Sequence, residues 1–264
     1  MASFTGKSPS TWYGDIIQAS NNGSGIDTSL RKLYDGKGNV TAIYLSDDAL
    51  KVQANVDNST GTFLVNNQGG SAILSVDTTN SKVLVNTGQV AATTQYAYFA
   101  VTHNDFGSVA ANIHYPVPFI ASASSGETDI DFGTGTDPDD SFTTANTDTQ
   151  EAAQIVPMMW RIPDAITISS VTHIEGSELA TGDTTRMHLK SFDFTSGSTS
   201  CLTNGTLLAH NSDVTNAGNE QAYLSTWTVD SANVGAGKVI LAFFRQDSEN
   251  SDYSLTVTVK YFIQ

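Results

Sequence analysis

Carboxylates crowd one short segment of this sequence, and they are the side chains best suited to chemistry. The segment DIDFGTGTDPDD contains Asp129, Asp131, Asp137 and Asp139, and residues 83–160 contain no Lys or Arg. Ca²⁺ prefers several oxygen ligands on a flexible loop, so these four aspartates are candidate calcium ligands. Paired carboxylates could also serve a glycosidase, but nothing in this Gly- and Thr-rich segment would raise the pKa of one carboxyl above that of another. The remaining interpretation is a solvated acidic loop.

No other catalytic signature occurs in the sequence. The five histidines form neither an HxH nor an HExxH pattern, and Cys201 lies in SGSTSCLTNG without a nearby base. No GxSxG motif is present, and the turn SANVGAGK lacks P-loop spacing and leads into an apolar strand. We therefore expect a protein without enzymatic activity and without a cofactor, with a bound Ca²⁺ as the alternative.

The charge of the chain limits its partners. The 264 residues include 12 Lys and Arg against 27 Asp and Glu, a net charge of −15. Nucleic-acid phosphates and anionic lipids attract basic surfaces, so we expect neither a nucleic acid nor a membrane as partner. The single cysteine excludes an intrachain disulfide, and the sequence contains neither an apolar run of membrane-spanning length nor a signal-peptide pattern. We expect the chain to be made in a cytoplasm.

The acidic residues are unevenly distributed. Residues 1–103 contain six bases and seven acids, whereas residues 104–264 contain six bases and twenty acids. Such a shift in composition indicates two regions with different surroundings. Together with the strand pattern, it predicts an N-terminal arm at 1–40, a β-repeat at 41–95 and a β-sandwich head domain at 96–264.

Short apolar strands recur in the β-repeat. FLVN, ILSV and VLVN start ten residues apart, at residues 63, 73 and 83, with turn-forming residues between them. One strand and one turn cannot bury an apolar face alone, so the repeat must stack on its neighbours or on other chains. We expect an intertwined homotrimeric shaft, with a β-meander within one domain as the alternative. The candidate trimer-core residues are Phe63, Val65, Ile73, Val76, Val83 and Val85.

The N-terminal arm contains one compact apolar group. Trp12, Tyr13, Ile16 and Ile17 precede the loop-forming segment NNGSG. An apolar group without a domain of its own predicts docking onto another surface, so these four are candidate anchoring residues. The alternative is that the aromatic side chains cap the small β region.

Longer alternating strands occupy the C-terminal region. Turns rich in Gly, Ser, Asn and Asp separate them, which predicts an all-β fold whose head is an antiparallel β-sandwich, most simply a jelly roll. Tyr223, Trp227 and Tyr253 are candidate ligand-binding aromatics, with a place in the core as the alternative. The predicted strands are Tyr96–Val101, Ile155–Ile162, Ile166–Ile174, Thr185–Phe194, Gln221–Val229, Val239–Phe244 and Tyr253–Ile263.

Two segments resemble virion structural proteins of tailed bacteriophages. They are the opening STWYGDIIQASNNGSGIDTSLRKLYDGKGNVTAIYLSDDALKV and the later GTFLVNNQGGSAILSVDTTNSKVLVNTG. Within the second, LSVDTTNSKVLV is similar to a β-repeat of phage fibre and spike shafts. The resemblance implies a homotrimer whose N-terminal part attaches to the particle and whose C-terminal β domain projects outward. It implies no catalytic residues.

These observations lead to one expected function and one alternative. We expect a homotrimeric capsid decoration protein, of the cement or head-fibre type, that docks by its N-terminal region and exposes an acidic β domain on the virion surface. Its partners would be its own copies and other virion proteins such as the major capsid protein. The alternative is a receptor- or carbohydrate-binding tail fibre or tip that contacts host surface glycans. A depolymerase spike should be longer and carry a clear carboxylate pair.

Overall fold

The chain folds almost entirely into β-strands. A computed structural model describes residues 17–19, 24–85, 90–91, 93–101, 110–119, 130–145, 152–177, 181–218, 221–247 and 253–264. Over these residues it contains twenty strands, one four-residue helix and one 3-10 turn. The chain divides into two compact units, unit 1 at Met1–Ala92 and unit 2 at Thr93–Gln264. The predicted head domain begins three residues after this boundary.

Unit 1 contains two antiparallel meanders, each with its strands in sequence order. The first consists of β1 (Gln18–Ala19), β2 (Arg31–Tyr34), β3 (Val40–Leu45) and β4 (Leu50–Val52). The second consists of β5 (Phe63–Asn66), β6 (Ala72–Asp77), β7 (Lys82–Val85) and β8 (Val90–Ala91). The strands predicted at ten-residue intervals are therefore neighbours in the second meander.

Aspartate side chains close two of the hairpin turns in unit 1. Asp35 Oδ1 accepts from the backbone N–H groups of Lys37 and Asn39, at 2.9 and 2.8 Å. Asp77 Oδ1 accepts from the N–H of Asn80 at 2.9 Å. Hydrogen bonds from the asparagine side chains, followed by these backbone donors, lower the pKa of both carboxyls below their ordinary value. Turn-forming sequence thus sets where these short strands end.

Unit 2 contains the remaining strands. They are β9 (Thr94–Val101), β10 (Tyr115–Val117), β11 (Trp160–Arg161), β12 (Ile166–Ser177), β13 (Thr184–Phe194), β14 (Leu202–His210), β15 (Val214–Thr215), β16 (Gln221–Thr226), β17 (Thr228–Val229), β18 (Asn233–Val234), β19 (Val239–Gln246) and β20 (Tyr253–Ile263). The larger sheet has the order β10-β19-β13-β14-β17, with β11 and β15 added at β19 and β13. The smaller sheet has the order β16-β12-β20-β9, with β18 added at β12.

The strand order of unit 2 is that of a jelly roll. Eight strands form the two four-stranded layers, β10-β19-β13-β14 in one and β16-β12-β20-β9 in the other. Counted along the chain, the first, third, sixth and eighth of these strands lie in the smaller sheet, namely β9, β12, β16 and β20. The other four lie in the larger sheet, namely β10, β13, β14 and β19. Two interlocked Greek keys produce this arrangement. The all-β sandwich predicted from strand alternation is therefore confirmed.

Two hydrophobic clusters lie on opposite faces of the larger sheet. The cluster between the sheets includes Phe99 and Val257 from the smaller sheet and Phe244 from the larger. The cluster on the outer face includes Phe192 and Phe243. Strand β19 contributes to both clusters, which explains its continuous run VILAFF, since a strand covered on both faces has no polar side to present.

Two predicted strands differ from the structure. Ile155–Ile162 is a short helix, α1 (Ala152–Ile155), then a 3-10 turn (Val156–Met158) and the two residues of β11. Proline lies within that 3-10 turn, where its missing N–H costs no strand hydrogen bond. Gln221–Val229 is broken at Trp227, so β16 pairs with β12 in one sheet and β17 with β14 in the other.

Candidate functional site

The second meander of unit 1 presents one face made only of apolar side chains. Residues directly opposite in an antiparallel ladder share a face. Phe63 pairs with Val76, which pairs with Val83 in the next strand. Two residues further along the strands, a second row consists of Val65, Leu74 and Val85. All six side chains are exposed or half-buried. We call this set the apolar face: Phe63, Val65, Leu74, Val76, Val83 and Val85.

Five of the six candidate trimer-core residues lie on the apolar face, and Ile73 does not. In β6, Leu74 and Val76 lie in the two rows of this face, whereas Ile73 lies at a register shift, since Val65 pairs with Leu74 and Asn66 with Ala72. Before this shift the first hairpin pairs odd-numbered with even-numbered residues, as in Phe63 opposite Val76, and beyond it Asn66 pairs with Ala72. A constant offset of ten residues therefore does not place residue 73 in the rows that contain residues 63 and 83.

In the first meander, apolar and charged side chains share a face. Ile43 is opposite Val52, and Leu45 is opposite Leu50, all on one side, and Arg31 of β2 is opposite Leu45 on that same side. On the other side, Lys32 and Lys51 lie over the ring of Tyr44, at 5.3 and 3.9 Å from its centroid. The side of the sheet that contains Tyr44 and these two lysines is therefore the more polar one.

Unit 1 has no apolar core of its own among its described residues. Its buried residues there are polar: Ser46, Ser75 and Asp77. Every buried hydrophobic residue of the described chain lies at position 97 or beyond. Small sheets with one apolar face need a packing partner for stability. The described residues of unit 1 do not meet that requirement by themselves.

The candidate anchoring residues fall mostly outside the described part of the chain. Trp12, Tyr13 and Ile16 are not among the described residues. Ile17, immediately before β1, is exposed. Its contact with another surface stays a prediction.

The acidic segment is docked against the outer face of the larger sheet and is not a free loop. Phe132 and Phe142 stack at 5.4 Å between ring centroids and belong to the outer hydrophobic cluster. The backbone N–H of Gly205 in β14 donates to Asp140 O at 2.9 Å. A Cβ on Gly205 would lie 2.7 Å from Asp140 Cα, so glycine permits this close approach. Residues 130–145 thus form a cover for the sheet.

The candidate calcium ligands do not form a metal cluster in the described structure. Asp131 Oδ1 accepts from the N–H of Gly133 at 2.6 Å, and Asp137 Oδ1 lies 3.4 Å from His188 Nε2. The Asp139 side chain lies against Gly133, and Asp129 is outside the described residues. In the described ranges, no three His, Cys, Asp or Glu side chains are placed to hold a metal ion.

A buried basic cluster lies beneath the acidic segment. His114 and His188 meet edge to face with centroids 4.9 Å apart, and His210 follows at 6.4 Å from His188. His114 Nε2–H donates to Gly135 O at 3.0 Å. Lys190, buried on the same strand as His188, donates from Nζ to Asp140 Oδ1 at 2.6 Å and to a backbone carbonyl of the segment.

Burial keeps the two inner histidines uncharged. Desolvation lowers the pKa of His114 to about 4 and that of His188 to about 3. Neighbouring basic groups lower both pKa values further: Arg245 lowers that of His114, and His114 and Arg186 lower that of His188. The carboxylate of Asp137 lies 3.4 Å from His188 Nε2 but is partly exposed, and the pKa of His188 stays low beside it. Two neutral imidazoles therefore lie under a segment rich in aspartate.

A second buried polar network connects the two sheets of the sandwich. Trp227 Nε1–H donates to His173 Nδ1 at 2.7 Å, and His173 Nε2–H donates to Glu175 Oε2 at 2.9 Å. Thr185 in the opposite sheet donates its hydroxyl to Glu175 at 3.1 Å. The indole donor holds the imidazole as the Nε2–H tautomer. The sequence offered no spacing signal for this network, because its members come from three separate strands or turns.

The structure describes the side chains of two of the three candidate ligand-binding aromatics. Trp227 is buried at 5% exposure, so its role as a surface ligand contact is wrong, and its indole completes the network described above. The hydroxyl of Tyr223 is engaged with Asn216 and Gln221. The side chain of Tyr253 lies outside the described residues.

An apolar cavity of about 310 Å³ lies beside α1. Cys201 lines it together with Ile155, Val156 and Met159, and the described residues of its lining include neither a histidine nor a carboxylate. Burial raises the pKa of the Cys201 thiol. A protonated thiol without a neighbouring base is a poor nucleophile.

Comparisons with known proteins assign no family to this chain. No family model matches it, and no curated protein matches its sequence. Among the described residues, none of the helices has the length and apolar character needed to cross a membrane.

Proposed function

We propose that this chain is a non-enzymatic virion structural protein of a tailed bacteriophage, a homotrimer that decorates the capsid. The observation that carries the proposal is the contrast between the two units. Unit 2 has a complete core between and outside its sheets, whereas the described part of unit 1 buries no apolar side chain. In a projecting multimer, unit 2 would fold as an independent head, and unit 1 would form the stem by packing against its own copies.

The distribution of charge supports the same arrangement, in which unit 1 associates and unit 2 projects into solvent. Twenty of the 27 acidic residues lie in residues 104–264, against six bases. The apolar face of unit 1 has no charged member, so three copies can approach there without repulsion. The acidic heads repel one another and stay separated in solvent. In this arrangement the N-terminal arm contacts the major capsid protein, and binding only to assembled capsid stabilises the shell.

Self-association is tested by placing a charge on the apolar face. Val76→Asp should convert a species of three times 28.0 kDa into a monomer in sedimentation, because a buried unpaired carboxylate opposes association. The matched control is Val56→Asp, at a side chain that is 85% exposed and outside the strands, which should leave the trimer intact. Unfolding of unit 2, followed through buried Trp160 and Trp227, should be the same in both variants. A wild-type monomer, or a trimeric Val76→Asp, contradicts the self-association.

The capsid location is tested separately by copy number. Hundreds of copies per purified virion, with labelling over the head, would support decoration. A few to a few tens of copies, with labelling on the tail, would support the alternative of a receptor- or carbohydrate-binding tail fibre or tip. Hydrolysis of a host polysaccharide that is lost in Asp131→Asn or Asp139→Asn would overturn both structural proposals.

A further inference from the structure

The outer face of the smaller sheet forms a trough with hydroxyl groups along its floor. Tyr98, Thr258, Thr172 and Thr226 are directly opposite one another across β9, β20, β12 and β16. The next row in the same strands is Ala100, Thr256, Ile174 and Leu224, and the row on the other side is Tyr96, Lys260 and Ser170.

Longer side chains border this floor on two sides. Tyr96 and Tyr98 on edge strand β9 are each 53% exposed, and Ile174 and Leu224 are 58% and 73% exposed. Threonine is shorter than all of these, so the threonines form a lower floor, bordered by the tyrosines at the β9 edge and by Ile174 and Leu224 in the adjacent row. With strands about 4.8 Å apart, Tyr98 and Thr226 are separated by about 14 Å. We call this surface the threonine trough.

The threonine trough has no acidic residue among its defining positions, although it lies in an acidic unit. Lys260, half-buried, is the single charged residue among the eleven positions of the three rows, and none of the 20 acids of residues 104–264 is there. The outer face of the larger sheet, in contrast, is covered by residues 130–145. A polyanion would meet the repulsion of the surrounding acids and find no cationic cluster, so a neutral ligand fits best.

The dimensions of the trough favour a slender ligand over a second protein. Three rows on four strands span about 20 by 20 Å, roughly 400 Å². A stable protein interface buries about 800 Å² on each partner, twice that area. Hydroxyl groups donate and accept hydrogen bonds, and tyrosine rings offer apolar faces. A sugar chain presents the complementary hydroxyl groups and C–H faces.

We propose that the threonine trough binds a neutral oligosaccharide. The threonine hydroxyls bind the sugar hydroxyls, and Tyr96 and Tyr98 pack against the C–H faces of the rings. This site is independent of the proposed decoration function, since either a capsid protein or a tail tip could hold it. Its residues also differ from the ligand-binding aromatics predicted from the sequence, which were Tyr223, Trp227 and Tyr253.

The test is affinity electrophoresis of the full chain in gels containing a soluble β-glucan, a mannan, a galactan or, as the anionic comparison, a polyuronate. Wild-type protein should be retarded by at least one neutral polymer and not by the polyuronate, and the retardation should persist at high salt. Tyr96→Ala with Tyr98→Ala should weaken binding at least tenfold. The conservative pair Thr172→Val and Thr258→Val should weaken it while preserving side-chain volume.

Matched controls come from the larger sheet. Thr206→Val on β14 and Phe194→Ala on β13, both exposed positions, should bind as wild type does. Absence of retardation by all three neutral polymers, preference for the polyuronate, or unchanged binding by the tyrosine variant overturns the proposal. A change of oligomeric state in the tyrosine variant also overturns it, since the trough would then be an interface between copies. Monomeric Val76→Asp should keep the single-site affinity, so failure of the trimer and failure of this site are distinguishable.

Discussion

Acidification should destabilise unit 2 through two buried histidines. Burial lowers the pKa of His114 to about 4 and of His188 to about 3, from an ordinary value of 6.5. At pH values between about 4 and 6.5, these two histidines bind protons in the unfolded chain and not in the folded chain. The contribution to stability is therefore fully present above about pH 6.5, and it is lost as the pH falls towards the folded pKa values.

The size of the effect follows from linkage. At pH 5 an exposed histidine is almost fully protonated, whereas neither ring is charged in the folded protein, so each costs about 2 kcal/mol and the pair about 4 kcal/mol relative to pH 7.5. The slope near pH 5.5 is about 2.5 kcal/mol per pH unit. The carboxyls with lowered pKa, such as Asp35 and Asp193, act at lower pH and do not produce a slope in this window.

The assay is guanidinium unfolding at several pH values between 7.5 and 5, followed by the fluorescence of Trp160 and Trp227 at one protein concentration. His188→Gln should remove about half of the slope, and His114→Gln with His188→Gln should remove most of it. The slope remains informative even if a variant is less stable at every pH. A wild-type stability that is flat between pH 7 and 5, or a double variant that keeps the full slope, would refute the reasoning.

Three further predictions concern packing. Gly205→Ala should destabilise unit 2 by about 1–3 kcal/mol in chemical unfolding, because its Cβ would meet the backbone of Asp140; wild-type stability would contradict the close approach. Trp227→Phe should cost about 1–3 kcal/mol by removing the donor to His173 Nδ1, and a neutral result would show that the buried network does not depend on it. Val76→Asp should abolish the trimer in sedimentation, whereas a persistent trimer would place the interface away from the apolar face.

Local sequence patterns determined the strands with the clearest alternation. Tyr253–Ile263 matches β20 at both ends, and Val239–Phe244 lies within β19. The pattern was insufficient for β14, whose sequence LTNGTLLAH contains glycine and an asparagine with φ of +53°. There, pairing with β13 overrides a weak intrinsic preference for strand.

The sequence alone also indicated where charge and apolar strands concentrate. It did not decide which side chains face each other, because that depends on hairpin register. The register shift between Val65 and Asn66 leaves Ile73 out of the rows that contain Leu74 and Val76. Likewise, the aspartates of residues 130–140 were visible as a cluster, but their position over His188 and Lys190 was not.

The sequence by itself determined the fold class, the division of charge and the shortage of core-forming residues near the N-terminus, because composition and alternation are local properties. Only the tertiary structure decided that Trp227 is buried, that the acidic segment covers one sheet, and that Tyr98 shares a row with three threonines. Each of these depends on contacts between residues far apart in the chain. Strand pairing sets those contacts, and residue spacing along the sequence does not report them.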